Sequence, residues 1–268
     1  SSNNIVAVSG GAWTIDNTAI MSPVRRRGFA FGYNGYLYAL AGYSGTGTLN
    51  DLLFARINVS DGSLGAFATS TVTVNPRWDL RAIVANGYVY TIGGCADTTN
   101  APPAACSGMT ASVQTFQLYN NYSGSPALYN SGNNIGADNI GGSATVLNGY
   151  IYYAGGCSNI GCTTAVNNVY YAPLNSDGSI GTWTAAANNL VAVSAWGKLV
   201  ASGGTLYYVG GQNSAGTAQT AVYYSTPVAG VPGTWSIASN VLPAARTEIG
   251  ATVWNNRILC YWWSDRWH

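Results

Sequence analysis

Charge is what this chain has least of. Asp, Glu, Lys and Arg make up 7% of its 268 residues, against roughly 25% in ordinary soluble domains. It contains one lysine (Lys198), one glutamate (Glu248) and one histidine (His268). A net charge of +1 supplies no basic field for a nucleic-acid partner. With its only histidine at the last position, the chain lacks the ligands of a His-rich metal centre, and neither metal nor cofactor is expected. No apolar run approaches the roughly 20 residues that cross a bilayer. No stretch carries a helical period of apolar residues. Solubility must therefore come from Asn, Ser, Thr and Gly, a composition of extracellular or cell-surface chains. The chain opens at Ser1 without a methionine, as expected after removal of a signal peptide or excision of a domain.

What is abundant is glycine and tyrosine, with 34 and 19 copies, and they recur in a phrase. Asn148-Gly-Tyr-Ile-Tyr-Tyr-Ala-Gly-Gly156 reads as a turn, an alternating strand and a glycine doublet. The phrase returns from Asn34 to Gly42, from Asn86 to Gly94 and from Gly203 to Gly211, and a fifth begins at Asn255-Asn-Arg-Ile. The starts lie 52, 62, 55 and 52 residues apart. Self-similarity near this period predicts an all-β propeller of four-stranded antiparallel blades. Asn-Gly supplies the positive φ angles of a tight hairpin. The doublet lets the backbone run where a Cβ would clash.

A second signal keeps the same period. Aromatic residues at 13, 67, 129, 183 and 235 follow short Gly-rich turns and mark the last strand of each blade. The chain thus divides into a leading strand (4–20), four blades (about 21–74, 75–136, 137–190 and 191–241) and a partial fifth (242–268). The leading strand either completes the fifth blade or belongs to a larger ring, and an open piece would expose sheet edges suited to self-assembly.

The order of Pro-x-Arg, apolar strand, Asn-Gly, Tyr strand, Gly-Gly, loop, Tyr strand, turn and Trp strand resembles the Kelch repeat family. Gly93-Gly94, Gly155-Gly156, Gly210-Gly211, the tyrosines before them, and Trp183 and Trp235 after them carry the resemblance over nearly the whole chain. The family includes oxidases, adaptors and surface proteins, so the resemblance implies fold more than function. The copper chemistry of some Kelch-like enzymes needs histidine ligands that this chain lacks.

Cys95 and Cys157 each directly follow a glycine doublet, with Cys106 and Cys162 eleven and five residues on. Disulfides Cys95–Cys106 and Cys157–Cys162 are expected to staple two long loops, in keeping with export. Cys260 is left over.

The fifth phrase departs from the others. Trp262-Trp263 stands where its doublet belongs. Two consecutive tryptophan codons shifted by one base read Gly-Gly, so the tail is either a frameshifted Tyr-Val-Ile-Gly-Gly or a divergent terminal strand.

Scarce charges make their placement informative. Arg25, Arg77 and Arg246 stand nine residues before a phrase start, Arg27, Asp79 and Glu248 seven before, and Arg81 and Lys198 five before. The shared parity predicts one face of each innermost strand. Eight of the 19 charged residues would then gather at one end of a central channel. They would form either an ion-pair network between blades or a recognition site for an anionic or sugar ligand. The three equivalent arginines resemble the carboxylate-binding arginines of sialidases, but the Asp-Trp spacing at Asp177 and Trp183 is one residue too long for that family's Asp box. Asp79 and Glu248 are the only inner-strand carboxylates for a glycosidase, and calcium at Asp51, Asp61 or Asp177 lacks clustered ligands. Tyr33, Tyr43, Tyr119 and Tyr122 are candidates for sugar stacking.

The expected protein is therefore a non-enzymatic, secreted or surface binding module for a glycan or a partner protein. A structural subunit of an extracellular filament or surface layer is the rival. The cysteine pattern carries its own test. The native chain should weigh about four hydrogen masses less than its reduced form, and one thiol per denatured chain should titrate. Three or more titratable thiols would refute the pairing.

Overall fold

The computed structural model describes residues 20–97, 106, 108–118, 129–130, 133–159 and 161–261. The leading strand, Tyr119, Tyr122 and Trp262-Trp263 lie outside them. The described residues form strands and turns, with no helix.

The first sheet is an up-and-down meander of β1 (Phe29–Tyr33), β2 (Tyr36–Tyr43), β3 (Thr48–Arg56) and β4 (Ala68–Thr73). The second repeats it with β5 (Arg81–Ala85), β6 (Tyr88–Ile92), β7 (Val113–Gln117) and β8 (Tyr129–Asn130). The third holds β9 (Ser143–Leu147), β10 (Tyr150–Ala154), β11 (Val169–Pro173) and β12 (Thr184–Ala185). The fourth holds β13 (Lys198–Ser202), β14 (Thr205–Val209), β15 (Val222–Ser225) and β16 (Ser236–Ile237). A fifth sheet has two strands, β17 (Gly250–Trp254) and β18 (Arg257–Tyr261). All pairings are antiparallel, and the first strand of each sheet lies beside the first strand of the next.

The first hairpin of every sheet turns as its sequence demands. Asn34-Gly35, Asn86-Gly87, Asn148-Gly149, Gly203-Gly204 and Asn255-Asn256 all have positive φ at both positions. Such a turn matches the right-handed twist of the strands it joins.

The cores lie between successive sheets. Tyr38, Leu40, Leu52, Val89 and Phe116 fill the first interface, and Tyr90, Ile92, Ile151, Tyr170 and Trp183 the second. Tyr152, Leu199, Leu206, Tyr208, Tyr223 and Trp235 fill the third. Each tyrosine buries a ring and still needs a partner for its hydroxyl. Tyr90 Oη donates to the Gly178 carbonyl (3.0 Å) and Tyr152 Oη to that of Gly230 (3.0 Å), each in a turn of the following sheet.

The glycine doublets are where one sheet meets the next. Gly93, Gly155 and Gly210 have φ of 60 to 67°, and Gly42, Gly94, Gly156 and Gly211 have φ of 97 to 102°. A Cβ on Gly156 would lie 2.7 Å from the Ile140 carbonyl oxygen, and one on Gly211 would lie 2.7 Å from that of Ala195. In the first sheet Ala41 takes the first doublet position at φ 53°. The residue after the doublet pairs with the lead-in to the first strand, in the bridges Arg26–Tyr43, Trp78–Cys95, Ile140–Cys157 and Ala195–Gln212. Cys95 and Cys157 occupy this same position in two sheets. They are bonded to Cys106 and Cys162, with Cα–Cα distances of 5.8 and 5.1 Å. Cys260 is a free, half-buried thiol.

Gly156 and Gly149 make a controlled pair. Gly156→Ala adds a methyl against rigid backbone, and should lower stability by about 3 kcal/mol. Gly149→Ala has nothing within 4 Å of the new Cβ, and should cost about 1 kcal/mol for its positive φ. Urea midpoints of the two variants check the difference.

Candidate functional site

The eight charged residues singled out by spacing separate into two groups. The divider is the residue seven before each phrase start. Arg27, Asp79, Gly141, Trp196 and Glu248 all adopt the left-handed conformation, with φ between 53 and 68°. That single kink breaks the period of two on which the parity argument rests. Residues before it turn into the sheets, and Arg27, Asp79, Arg81, Trp196, Lys198 and Glu248, at or after it, line one cleft.

Arg25 and Arg77 are therefore buried in the framework, apart from the residues after the kink. The Arg25 side chain is 5% exposed and forms a two-pronged ion pair with Asp51 at 2.8 and 3.0 Å. Arg77 is 1% exposed and lies among carbonyls. Its guanidinium donates to the Gly93 and Ser112 carbonyls (3.0 and 3.3 Å), Ser112 Oγ (2.9 Å) and Gln114 Oε1 (3.1 Å). Burial pulls its pKa down to about 10, so it stays charged at neutral pH. Asn139 and Ser194 stand at the same position and repeat the same bond without charge. The first doublet carbonyl of each sheet accepts from Arg25 Nη1 (3.2 Å), Arg77 Nη1 (3.0 Å), Asn139 Nδ2 (3.0 Å) or Ser194 Oγ (3.1 Å). Arg246 keeps the position in the fifth sheet, half-buried, with its backbone carbonyl accepting from Gly211 N–H at 2.8 Å.

The other five residues meet in one cleft of about 270 Å³. Arg27, Phe29, Asp79, Arg81, Trp196, Lys198 and Glu248 line it. The cleft draws on the first, second, fourth and fifth sheets. Arg27 Nη1 lies 2.6 Å from Asp79 Oδ2. The Asp79 carboxyl is buried, which raises its pKa, while Arg27 and Arg81 oppose that rise. Trp196 is 8% exposed and forms the floor, its ring against Gly141 and its centroid 5.9 and 5.7 Å from the guanidinium carbons of Arg27 and Arg81. The Lys198 ammonium sits 5.5 Å from the Phe29 ring centroid. Burial first, and then the nearby Arg81, depress its pKa to about 8.

Among the described residues the only ion pairs are Arg25–Asp51 and Arg27–Asp79. Arg81 spends its donors on the Gly142 and Leu80 carbonyls, at 2.5 and 3.3 Å. Arg81 and Lys198 thus bring positive charge into the cleft without a carboxylate of their own. The exposed Glu248 and buried Asp79 leave the cleft one charge positive at neutral pH. That balance suits an anion.

Phe29 and Trp196 are cleft residues absent from the charge-based selection, although Trp196 shares the spacing of Arg27. Tyr43, a candidate for sugar stacking, is 7% exposed and covered by Arg26. Tyr33 is half-buried on the first sheet. Asp51 is taken by Arg25, while Asp61 and Asp177 accept from Ser63 and Ser179 within their own turns. No group of three potential metal ligands occurs among the described residues.

No protein-family model matches the chain, and neither does any curated protein sequence. A solved structure titled "Structure of YjhT" is similar over 88% of this chain and 76% of that one, with a TM-score of 0.64 and 14% identity. At that identity the likeness is one of fold alone.

Removing Arg77 should test its framework role. Arg77→Met leaves buried carbonyls and Gln114 Oε1 without their donor, at about 1–3 kcal/mol for each unsatisfied group. A loss near 3 kcal/mol in urea unfolding is expected. A variant as stable as the parent would show the network to be dispensable.

Proposed function

We propose that the chain is a non-enzymatic binding module of Kelch-like β-propeller architecture that recognises an acidic glycan at the end of its central channel. The radial order of four-stranded meanders and the fold likeness support the propeller. The observation that carries the ligand assignment is the pairing of Arg81 and Lys198, neither engaged by a carboxylate, over the Trp196 floor. Two cations in a partly desolvated cleft attract a carboxylate or sulfate more strongly than exposed ones. The surrounding Phe29 and Trp196 offer apolar surface to the ring of a sugar. Positive φ at Arg27, Asp79, Trp196 and Glu248 adds support, because such strain gathers where a site must be held rigid.

Secretion fits the same reading. Two disulfides, and the absence among the described residues of a helix able to span a membrane, are compatible with an extracellular protein. Catalysis draws no comparable support, since the Asp79 carboxylate is engaged by Arg27.

A glycan array with the intact chain should show binding to carboxylated or sulfated sugars. Arg81→Ala or Lys198→Ala should each weaken it at least tenfold, as expected for a charge-assisted contact. The Lys198 pKa near 8 gives a second test. Only the ammonium attracts an anion, so affinity should hold up to pH 8 and fall above it, and calorimetry between pH 7 and 9.5 checks this. Equal binding of neutral and acidic sugars, unaffected by either variant, would sink the assignment.

A further inference from the structure

Lys198 is the one lysine of the chain, and so its one side-chain amine. It opens β13 and lines the cleft, with its ammonium against the Phe29 ring. Among the described residues no carboxylate pairs with it. The charged groups around it are Arg27, Asp79, Arg81 and Glu248, from the first, second and fifth sheets, and Asp79 is held by Arg27. Apolar cover and a like-charged neighbour both penalise an ammonium, and together they make a lysine nucleophilic. At pH 7.5 an ordinary lysine is neutral in roughly one molecule in a thousand. With its pKa lowered to about 8 by burial and by Arg81, Lys198 is neutral in roughly one in four. Arg81 is fixed by the bonds from its Nε and Nη1 to the Gly142 and Leu80 carbonyls, and its Nη2 donates to no protein acceptor among the described residues.

We propose that Lys198 captures a small carboxylated aldehyde or ketone, a 2-oxo acid, as a reversible Schiff base, with Arg81 holding the carboxylate. The step rests on the anion reading of the cleft and adds covalent capture to it. The neutral amine attacks the carbonyl carbon, and a carbon–nitrogen bond forms as the carbonyl π bond breaks. The carbinolamine hydroxyl then leaves as water, taking up the proton that the ammonium had released. An ammonium and a carbonyl thus give an iminium and one water, with no change in charge or oxidation state. The iminium keeps its positive charge beside the bound carboxylate. A cleft of about 270 Å³ admits an acid of a few carbons.

Glyoxylate is the smallest probe. With cyanoborohydride at pH 7.5 the trapped iminium becomes a carboxymethyl group. Peptide mapping separates Lys198 from the chain's terminal amine, which serves as the internal standard. Lys198 should be modified at least tenfold faster than the terminal amine. Acetaldehyde, which lacks the carboxylate, should show at least a tenfold smaller preference. The preference should also vanish in urea, and in an Arg81→Ala variant that keeps the parent far-ultraviolet dichroism. Modification of Lys198 no faster than that of the terminal amine would overturn the proposal, and so would an equal preference with acetaldehyde. Neither result needs a variant. The glycan array separates this step from the ligand assignment above. Acidic sugars bound beside an inert Lys198 would overturn the covalent step alone, whereas a silent array beside a fast Lys198 would overturn the glycan and sustain the oxo acid.

Discussion

The structure depends on a repeated tie between a glycine doublet and the residue nine positions before each phrase start. The side chain of that residue donates to the first doublet carbonyl of its own sheet. Its backbone carbonyl accepts from the second doublet N–H of the sheet before it, at 2.9 Å for Arg77, Asn139 and Ser194 and 2.8 Å for Arg246. One residue thus binds two sheets, and does so where a Cβ would strike the neighbouring backbone. Buried N–H and C=O groups must find partners, and sheets packed face to face offer few others. This explains how Arg, Asn and Ser can share one structural position. The position requires a donor able to reach a carbonyl, and charge is incidental to it.

The chain's few charges are therefore spent on two tasks. Arg25 and Arg77 are absorbed by the framework, where carbonyls and amide oxygens replace the water they lose. Two residues on, the left-handed kink delivers Arg27, Asp79, Trp196 and Glu248 to one cleft. Neighbours at that position complement each other, with Arg27 against Asp79 and the Trp196 ring over Gly141. Backbone bonds from Asp79 N–H to the Arg27 carbonyl (2.9 Å) and from Glu248 N–H to the Trp196 carbonyl (2.9 Å) run from sheet to sheet around the cleft. Rigidity at the kink and the surplus of Arg81 and Lys198 are thus two consequences of one lead-in geometry.

Much of the fold was legible in the sequence, because its signals are local. Asn-Gly turns, alternating tyrosines and glycine doublets each impose backbone geometry within a few residues, and their period counted the sheets. The loop cysteines were legible for the same reason, since both follow a doublet. The division of the arginines was not. Parity along a strand holds only while φ stays negative, and nothing in Arg27, Asp79, Trp196 or Glu248 announces a left-handed residue. Only Gly141, at the same position, carries that hint.

By itself, the sequence determined the element types, the turns, the repeat and the list of charged residues available for a site. Tertiary structure alone decided which of those charges are buried and which meet in the cleft. The reason is that burial of Arg77 is created by Gly93, Ser112 and Gln114, and the cleft by residues as far apart in the chain as Arg27 and Ile249. Such neighbours arise from packing one sheet against the next, and a repeat that specifies each sheet does not record which of its side chains will meet in one cleft.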